Sequence, residues 1–432
     1  MVCKLVNLFQ EHFSFRKTRL KGVFVIIDGL GDLPNKQLGG LTPLESATTS
    51  NLDFFATRGE IGFVYPVSPG YSPGSDESIV SIFGNDMKNS NRAWLEAVGA
   101  GINPNKGDLV LRVNFGTIDS IEKGNVIDRR AGRTLTNEEA NLLAEEINKM
   151  DFPYEFELVP TLQHRGILIF RGDFSDKIAG DDITYNKGSS KEISKVTSCR
   201  ALVREDKAEK TAKMLNEFLE SSFKILKDSE ANISREKRGL LPANYLLVRT
   251  PGVERPKLKQ YKDWACLGYM PLEKGFSDLS GMKTYSFSYP PLRGIDSYQN
   301  LWQGLKKASS HSLKLIKSSL RKHKFIYIHI KETDLPGHDN KPFEKKEMLE
   351  FLDKNLFSKL RGFLSRNKIK LIVTGDHSTP CVLKAHSSDP VPLLYCSWSL
   401  PREKKFNEKE AKKGKLGRML GKEIFSKTGF LK

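Results

Sequence analysis

GVFVIIDGLGDLP, residues 22–34, sets the architecture: an unbroken apolar run reaches Asp28 and passes at once into a glycine-rich loop. Apolar character without alternation marks a strand buried on both faces of a parallel sheet. Ligands of such sheets collect at the carboxyl ends of the strands. The same grammar returns at KFIYIHIKETDLPGH (324–338) and KIKLIVTGDHSTP (368–380), each an apolar strand ending near an acid and a histidine. Three strands therefore deliver acids to one edge.

Between them, TPLESATTSNLDFFATRG (42–59) and EKKEMLEFLDKNLFSKLRGFLSRN (344–367) carry helical apolar spacing, so strands alternate with helices in an α/β layered core. From about 111 to 240 the texture changes, which predicts an α+β unit inserted into the first. The expected organisation is a basic N-terminal extension over 1–20, a core in two parts over 21–110 and 241–432, and the insert over 111–240. A chain of 432 residues exceeds what one hydrophobic core supports.

No apolar run approaches the roughly 20 residues of a membrane-spanning helix, and the N-terminus lacks the features of a secretory signal, so a cytoplasmic protein without membrane contact is expected. The five cysteines are scattered without a CxxC pair, which supports neither a disulfide framework nor a thiolate zinc site. The net charge of +17 is spread over helical surfaces without aromatic interleaving, so it reads as a solvated basic surface, with no nucleic-acid partner expected. Nothing in the sequence sets an oligomeric state.

Asp334 and His338 stand four apart, Asp376 and His377 are adjacent, and His386 follows nine residues later. With Asp28 they make six carboxylate and imidazole donors after neighbouring strands. Such donors without thiolate suit Mn²⁺, Mg²⁺, Zn²⁺ or Co²⁺. Six of them with one more oxygen would serve two divalent metal ions. Any one histidine alone would pass as a capping or surface residue; their shared placement after strands points to metal.

YSPGSDESIVSIFGND (71–86) suggests the further oxygen, because Pro73 and Gly74 make a turn and a helix follows, leaving Ser75 at or near its N-cap. A hydroxyl there feels the positive end of the helix dipole, and a divalent cation would make it a nucleophile. In the insert, Asp128, Arg129, Arg130 and Arg133 crowd into DRRAGR, and Arg165 precedes the apolar GILIF. Arginine forks match carboxylate and phosphate, so the cluster suits a phosphorylated carboxylic acid.

The stretches IIDGLGDLP, TPLESATTSNLD, SPGSDESIVSIFGND, LEAVGAGI, IDRRAGR, HIKETDLPGHD, VTGDHSTPC, AHSSDPVPLL and KLGRMLG together resemble the archaeal type of cofactor-independent phosphoglycerate mutase, of the alkaline phosphatase superfamily, over residues 20–425. The resemblance implies an alkaline-phosphatase-like, mostly parallel sheet flanked by helices, with an inserted α+β substrate-binding domain. It implies an isomerase of glycolysis and gluconeogenesis that interconverts 3-phosphoglycerate and 2-phosphoglycerate through a phosphoserine, without 2,3-bisphosphoglycerate. By motif position Ser75 is the nucleophile. Asp28, Ser75, Asp376 and His377 hold one metal, and Asp334, His338 and His386 the other. Arg129, Arg130, Arg133 and Arg165 map to substrate arginines, and Lys274 to a lysine near the transferred phosphoryl group. Two segments depart from the pattern: GDDITYNKG (180–188) stands where relatives carry Asp-Pro-His, leaving no histidine near Ile183, and CLGYMPLEKG (266–275) is altered. They keep open a metal-dependent phosphatase or a mutase of another small phosphorylated metabolite.

Overall fold

In the computed structural model, which describes residues 20–182, 195–292, 296–402 and 404–432, the three acid-bearing strands lie side by side and parallel. Gly22–Ile27 is central, with Ile27 opposite Ile330 of Phe325–Ile330 and Ile26 opposite Thr374 of Lys370–Thr374. This register brings Asp28, Lys331 and Gly375 to one sheet edge. The N-terminal extension, apart from Leu20, lies outside the described residues.

Among the described residues this sheet has eight strands in the order Lys283–Tyr285, Trp264–Leu267, Phe325–Ile330, Gly22–Ile27, Lys370–Thr374, Val391–Cys396, Gly59–Tyr65, Gly417–Leu420. It is mostly parallel, as expected; Val391–Cys396 runs against both neighbours. Period-two alternation splits the central strand between two cores. Val23, Val25 and Ile27 face Leu305, Met348 and Leu360, while Phe24 and Ile26 face Ile79, Phe83 and Phe276. Covering helices on both faces explain why the strand reads as continuously apolar.

Two predicted helices are interrupted. The 42–59 stretch forms Pro43–Ser46 and then Ser50–Ala56, because the Asp353 carboxylate accepts from Asn51 N at 3.0 Å and Leu52 N at 2.8 Å and so starts a second helix. The 344–367 stretch contains a π-helical turn at Asp353–Phe357, the turn that carries this acid.

The second sheet is antiparallel: Leu109–Ile118 pairs with Arg165–Phe170, Val126–Asp128 and Tyr245–Gly252, and Phe156–Leu162 lies outside Arg165–Phe170. The expected return to the core at 241 thus falls before a strand of the second sheet. Its backbone partner is far away in sequence, which residue texture does not reveal. Helices Asn137–Asn148 and Asp206–Lys227 cover one face. The other face packs Val110, Ile167 and Ile169 on Ala93, Trp94 and Ala97 of helix Arg92–Gly99, which belongs to the first unit. No helix among the described residues is long and apolar enough to cross a membrane.

Candidate active site

The carboxyl ends of strands Gly22–Ile27 and Phe325–Ile330, with His386 from the loop after Lys370–Thr374, open onto a cavity of about 220 Å³, whose other wall carries arginines of the second sheet and its turns. Asp28 is buried just beyond its strand. Gly29 then turns with φ 62°, and a Cβ there would stand 2.9 Å from Asp334 Oδ1, so the close approach of this turn to Asp334 needs glycine.

Asp28, Asp376 and His377 form one group whose ligand atoms lie within 4.8 Å of one another, and Asp334, His377 and His386 form a second. Neither Asp28 Oδ1 nor Asp376 Oδ2 accepts a hydrogen bond, though both are buried. Each lies 3.3 Å from His377 Nε2. Thr379 fixes the tautomer of that ring. The Thr379 hydroxyl gives its one proton to Asp334 Oδ1 at 2.7 Å, so its 2.9 Å contact with His377 Nδ1 has Nδ1–H donating. The ring's Nε2 then faces two carboxylates.

The same logic fixes the other two histidines, because a carbonyl only accepts. His386 Nδ1 donates to Pro73 O at 2.9 Å and His338 Nδ1 to Lys384 O at 3.1 Å. Their Nε2 atoms stand 3.7 Å from Asp334 Oδ1 and 3.3 Å from Asp334 Oδ2. Burial first, then His377, pushes His386 down to about 3, so it is neutral. Against burial, His338 chiefly holds the Asp334 carboxyl well below the usual range. Imidazoles fixed at Nδ1 with Nε2 aimed among carboxylates are what divalent cations require. The donor set therefore fits the metals that it suggested in the sequence. His338 lies beside the second group, with its ring 5.1 Å from His386.

Ser75 is the first residue of helix Ser75–Ile82, one position past the cap: Gly74 is the N-cap, and Glu77 Oε2 accepts from Gly74 N at 2.9 Å. Ser75 Oγ lies 3.4 Å from His377 Nε2 and accepts from Lys331 Nζ at 3.3 Å. Lys331 also pairs with Asp28 and, at 3.2 Å, with Glu273 Oε1. Next to it, His329 Nε2 lies 3.5 Å from Asp28 Oδ2 and 3.4 Å from Asp376 Oδ2. Burial and Lys331 oppose its charge, yet Asp376 and Asp28 raise it to about 9. Neither Lys331, His329 nor Glu273 figured among the sequence candidates. The available signal was period two, since His329 and Lys331 share the face of a strand already identified.

Arg129, Arg130, Arg133 and Arg165 all line the cavity, as do Arg92, Arg112 and Arg249, which the sequence reading did not single out. Glu96 orients two of these, accepting from Arg92 Nε and Arg112 Nε at 2.8 Å each. Against burial, Arg112 and Arg92 pull its carboxyl down to about 2. Asp182 pairs with Arg129 and, at 3.3 Å, with Arg249. Arg133 gives both terminal nitrogens to Asp339.

Four expected site residues do not line the cavity: Asp376 and His377, which sit behind it against Asp28, and Asp128 and Lys274. Asp128 accepts from Arg130 N at 2.7 Å, shaping the turn rather than lining the pocket. Lys274 does not line it either; its neighbour Glu273 does, and Lys331 from another strand stands at Ser75. The segment from Ile183 to 188, where a histidine was expected to be missing, lies outside the described residues.

A family model for 2,3-bisphosphoglycerate-independent phosphoglycerate mutase matches residues 56–232, and one for the Metalloenzyme superfamily matches 295–426. The 2,3-bisphosphoglycerate-independent phosphoglycerate mutase of Pyrococcus abyssi is 35% identical over 418 residues, covering 94% of this chain and 95% of its own. That of Picrophilus torridus is 34% identical over 383 residues, covering 87% and 88%. Among solved structures, a protein of Pyrococcus horikoshii aligns with TM-score 0.72 at 29% identity, covering 95% of this chain and 98% of that one. The cofactor-independent phosphoglycerate mutase from Thermoplasma acidophilum aligns with TM-score 0.55 at 27% identity, covering 94% and 98%. With an edge of histidines and carboxylates facing a wall of arginines, and with this likeness along nearly its whole length, the chain belongs to the 2,3-bisphosphoglycerate-independent phosphoglycerate mutase family.

Proposed function

We propose that this chain interconverts 3-phosphoglycerate and 2-phosphoglycerate through a phosphoserine at Ser75, in the cytoplasm and without added bisphosphoglycerate. The observation that carries the reading is Ser75 Oγ, which sits between His377 Nε2 and Lys331 Nζ in a cavity whose far wall is arginine. Asp28, Asp376, His377 and Ser75 would hold one divalent cation, and Asp334, His338 and His386 the other, with Mn²⁺, Mg²⁺, Co²⁺ or Zn²⁺ suited to carboxylate and imidazole donors. Bound there, the cations would neutralise phosphoryl oxygens and favour the ionised serine.

The residues themselves divide the remaining work. Ser75 Oγ gives up its proton and attacks phosphorus in line, the bond from phosphorus to the glycerate oxygen breaks, and that oxygen takes up one proton in exchange. Lys331 places positive charge beside the oxygens of the transferred group. Arg112, Arg129, Arg130 and Arg165 grip carboxylate and phosphate, so glycerate stays and presents its other hydroxyl. Attack by that hydroxyl on the phosphoserine returns the group and frees Ser75.

Ser75→Ala tests this. It should abolish turnover with an unchanged circular dichroism spectrum, and the parent, quenched in turnover, should carry a phosphoryl group on the peptide containing Ser75. Substantial mutase activity in the variant would sink the assignment.

A further inference from the structure

The two units meet on both sides of the cavity. On one side the chain crosses between them, and the contact is a packed face: Trp94 lies against Ile167 and Ile169 and donates Nε1–H to Gly252 O at 3.1 Å. On the other side the contact is polar. Arg133 Nη1 and Nη2 donate to Asp339 Oδ2 at 2.7 Å and Oδ1 at 3.0 Å. Tyr298 OH donates to the same Oδ2 at 2.9 Å, and Lys341 Nζ lies 3.6 Å from the centre of the Tyr298 ring. Nearby, Gln163 Nε2 donates to Asn300 Oδ1 at 3.2 Å. Arg133 and Gln163 belong to the second unit; Asp339, Tyr298 and Asn300 belong to the first.

The backbone that projects Arg133 is unusual. Ala131, Gly132 and Arg133 have φ of 44°, 68° and 57°, three left-handed residues in succession, of which two are not glycine. Buried Arg235 holds this turn, donating to Ala131 O at 3.3 Å, Thr134 O at 3.3 Å and Thr134 Oγ1 at 2.8 Å. Strain that the surroundings enforce points to a function for the residue that it displays. Arg133 cannot offer its fork to substrate while both terminal nitrogens are on Asp339.

Resting on the mutase reading, we propose that Arg133 and Asp339 form a latch that fastens the arginine-bearing unit over the phosphoryl site, and so decides whether the phosphoserine returns its group to glycerate or loses it to water. In the loss, a water oxygen bonds to phosphorus, the bond from phosphorus to Ser75 Oγ breaks, and a water proton ends on Oγ, giving inorganic phosphate and free serine. A fastened unit keeps glycerate in place and water out.

The test follows 3-phosphoglycerate by phosphorus NMR and scores 2-phosphoglycerate and inorganic phosphate together, for the parent, Asp339→Asn and Tyr298→Phe. Asp339→Asn should raise the ratio of inorganic phosphate to 2-phosphoglycerate at least tenfold, and Tyr298→Phe, which is remote from His338, should raise it less. Adding Arg133→Met to Asp339→Asn should raise it no further, because the two act as one contact. An unchanged ratio, including one where both products fall together, overturns the latch. If the parent itself makes no 2-phosphoglycerate, the mutase reading fails, and small-angle scattering still judges the contact: the latch predicts a larger radius of gyration for Asp339→Asn than for the parent, and equal radii overturn it.

Discussion

Lys331 Nζ stands 3.3 Å from Ser75 Oγ while paired with Asp28 and Glu273, and two flanking carboxylates hold its ammonium where phosphoryl oxygens would gather. A charge fixed in advance at such a point acts mainly on the transition state. Lys331→Met should therefore lower kcat by about 10²–10³ with a small change in KM, whereas Lys274→Met should change either by less than about threefold, a scale read against that same electrostatic effect. Steady-state kinetics of the two variants side by side decide it; a larger loss in Lys274→Met would return the role to that residue.

Thr379 sets the tautomer of His377 and also donates to Asp334. Thr379→Val keeps the shape of the side chain and removes both bonds. Losing an outer partner of this kind typically weakens a metal site by about 10–100-fold. Calorimetric titration of Mn²⁺ into the metal-stripped variant should show that weakening, and parental affinity would rule out Thr379 as the orienting group.

Glu96 holds both Arg92 and Arg112 at 2.8 Å. Glu96→Gln takes from Arg112 its carboxylate and leaves Arg92 with Asp76 at 3.5 Å, a change that costs about 3–5 kcal/mol where the pair is buried. The expected outcome is a lower melting temperature together with a raised KM, since the released guanidinium groups line the cavity. A variant with lowered stability and unchanged KM would confine Glu96 to a structural role.

Asp181 accepts from Val248 N at 2.7 Å, and burial pushes its carboxyl up to about 8. In the unfolded chain an aspartate ionises near pH 4, at about 3.9. Between pH 4 and 8 the unfolded state thus binds fewer protons than the folded one, and stability falls as pH rises. Asp181→Asn removes this ionisation. It should match the parent near pH 4 and exceed it by several kcal/mol at pH 8, a tenfold difference in proton affinity being worth about 1.4 kcal/mol. Denaturant melts at the two pH values measure it, and an equal difference at both would contradict the protonated carboxyl.

The carboxylate and histidine edge was legible because its grammar is local. An apolar strand followed by an acid needs no knowledge of partners, so Asp28, Asp334, Asp376 and His377 could be placed from their own neighbourhoods. Ser75 was legible for the same reason, since Pro73 and Gly74 announce the helix that begins there. The rest depends on contacts distant in sequence. Asp353 restarts a helix some 300 residues earlier in the chain, at Asn51. Tyr245–Gly252 joins a strand of the insert, and Lys331 stands at Ser75 because the sheet register aligns it with Asp28. The arginine cluster was visible as composition, but the division of labour within it was not. Only the fold shows that Arg133 spends its fork on Asp339 and that Asp128 shapes a turn.

Phosphorus NMR of 3-phosphoglycerate with chelator-stripped, Mn²⁺-reloaded protein and no added bisphosphoglycerate reads the proposed chemistry most directly. The expected result is a growing 2-phosphoglycerate signal that disappears when the metal is withheld and in Ser75→Ala. Inorganic phosphate in place of 2-phosphoglycerate, or an unchanged spectrum, would contradict it.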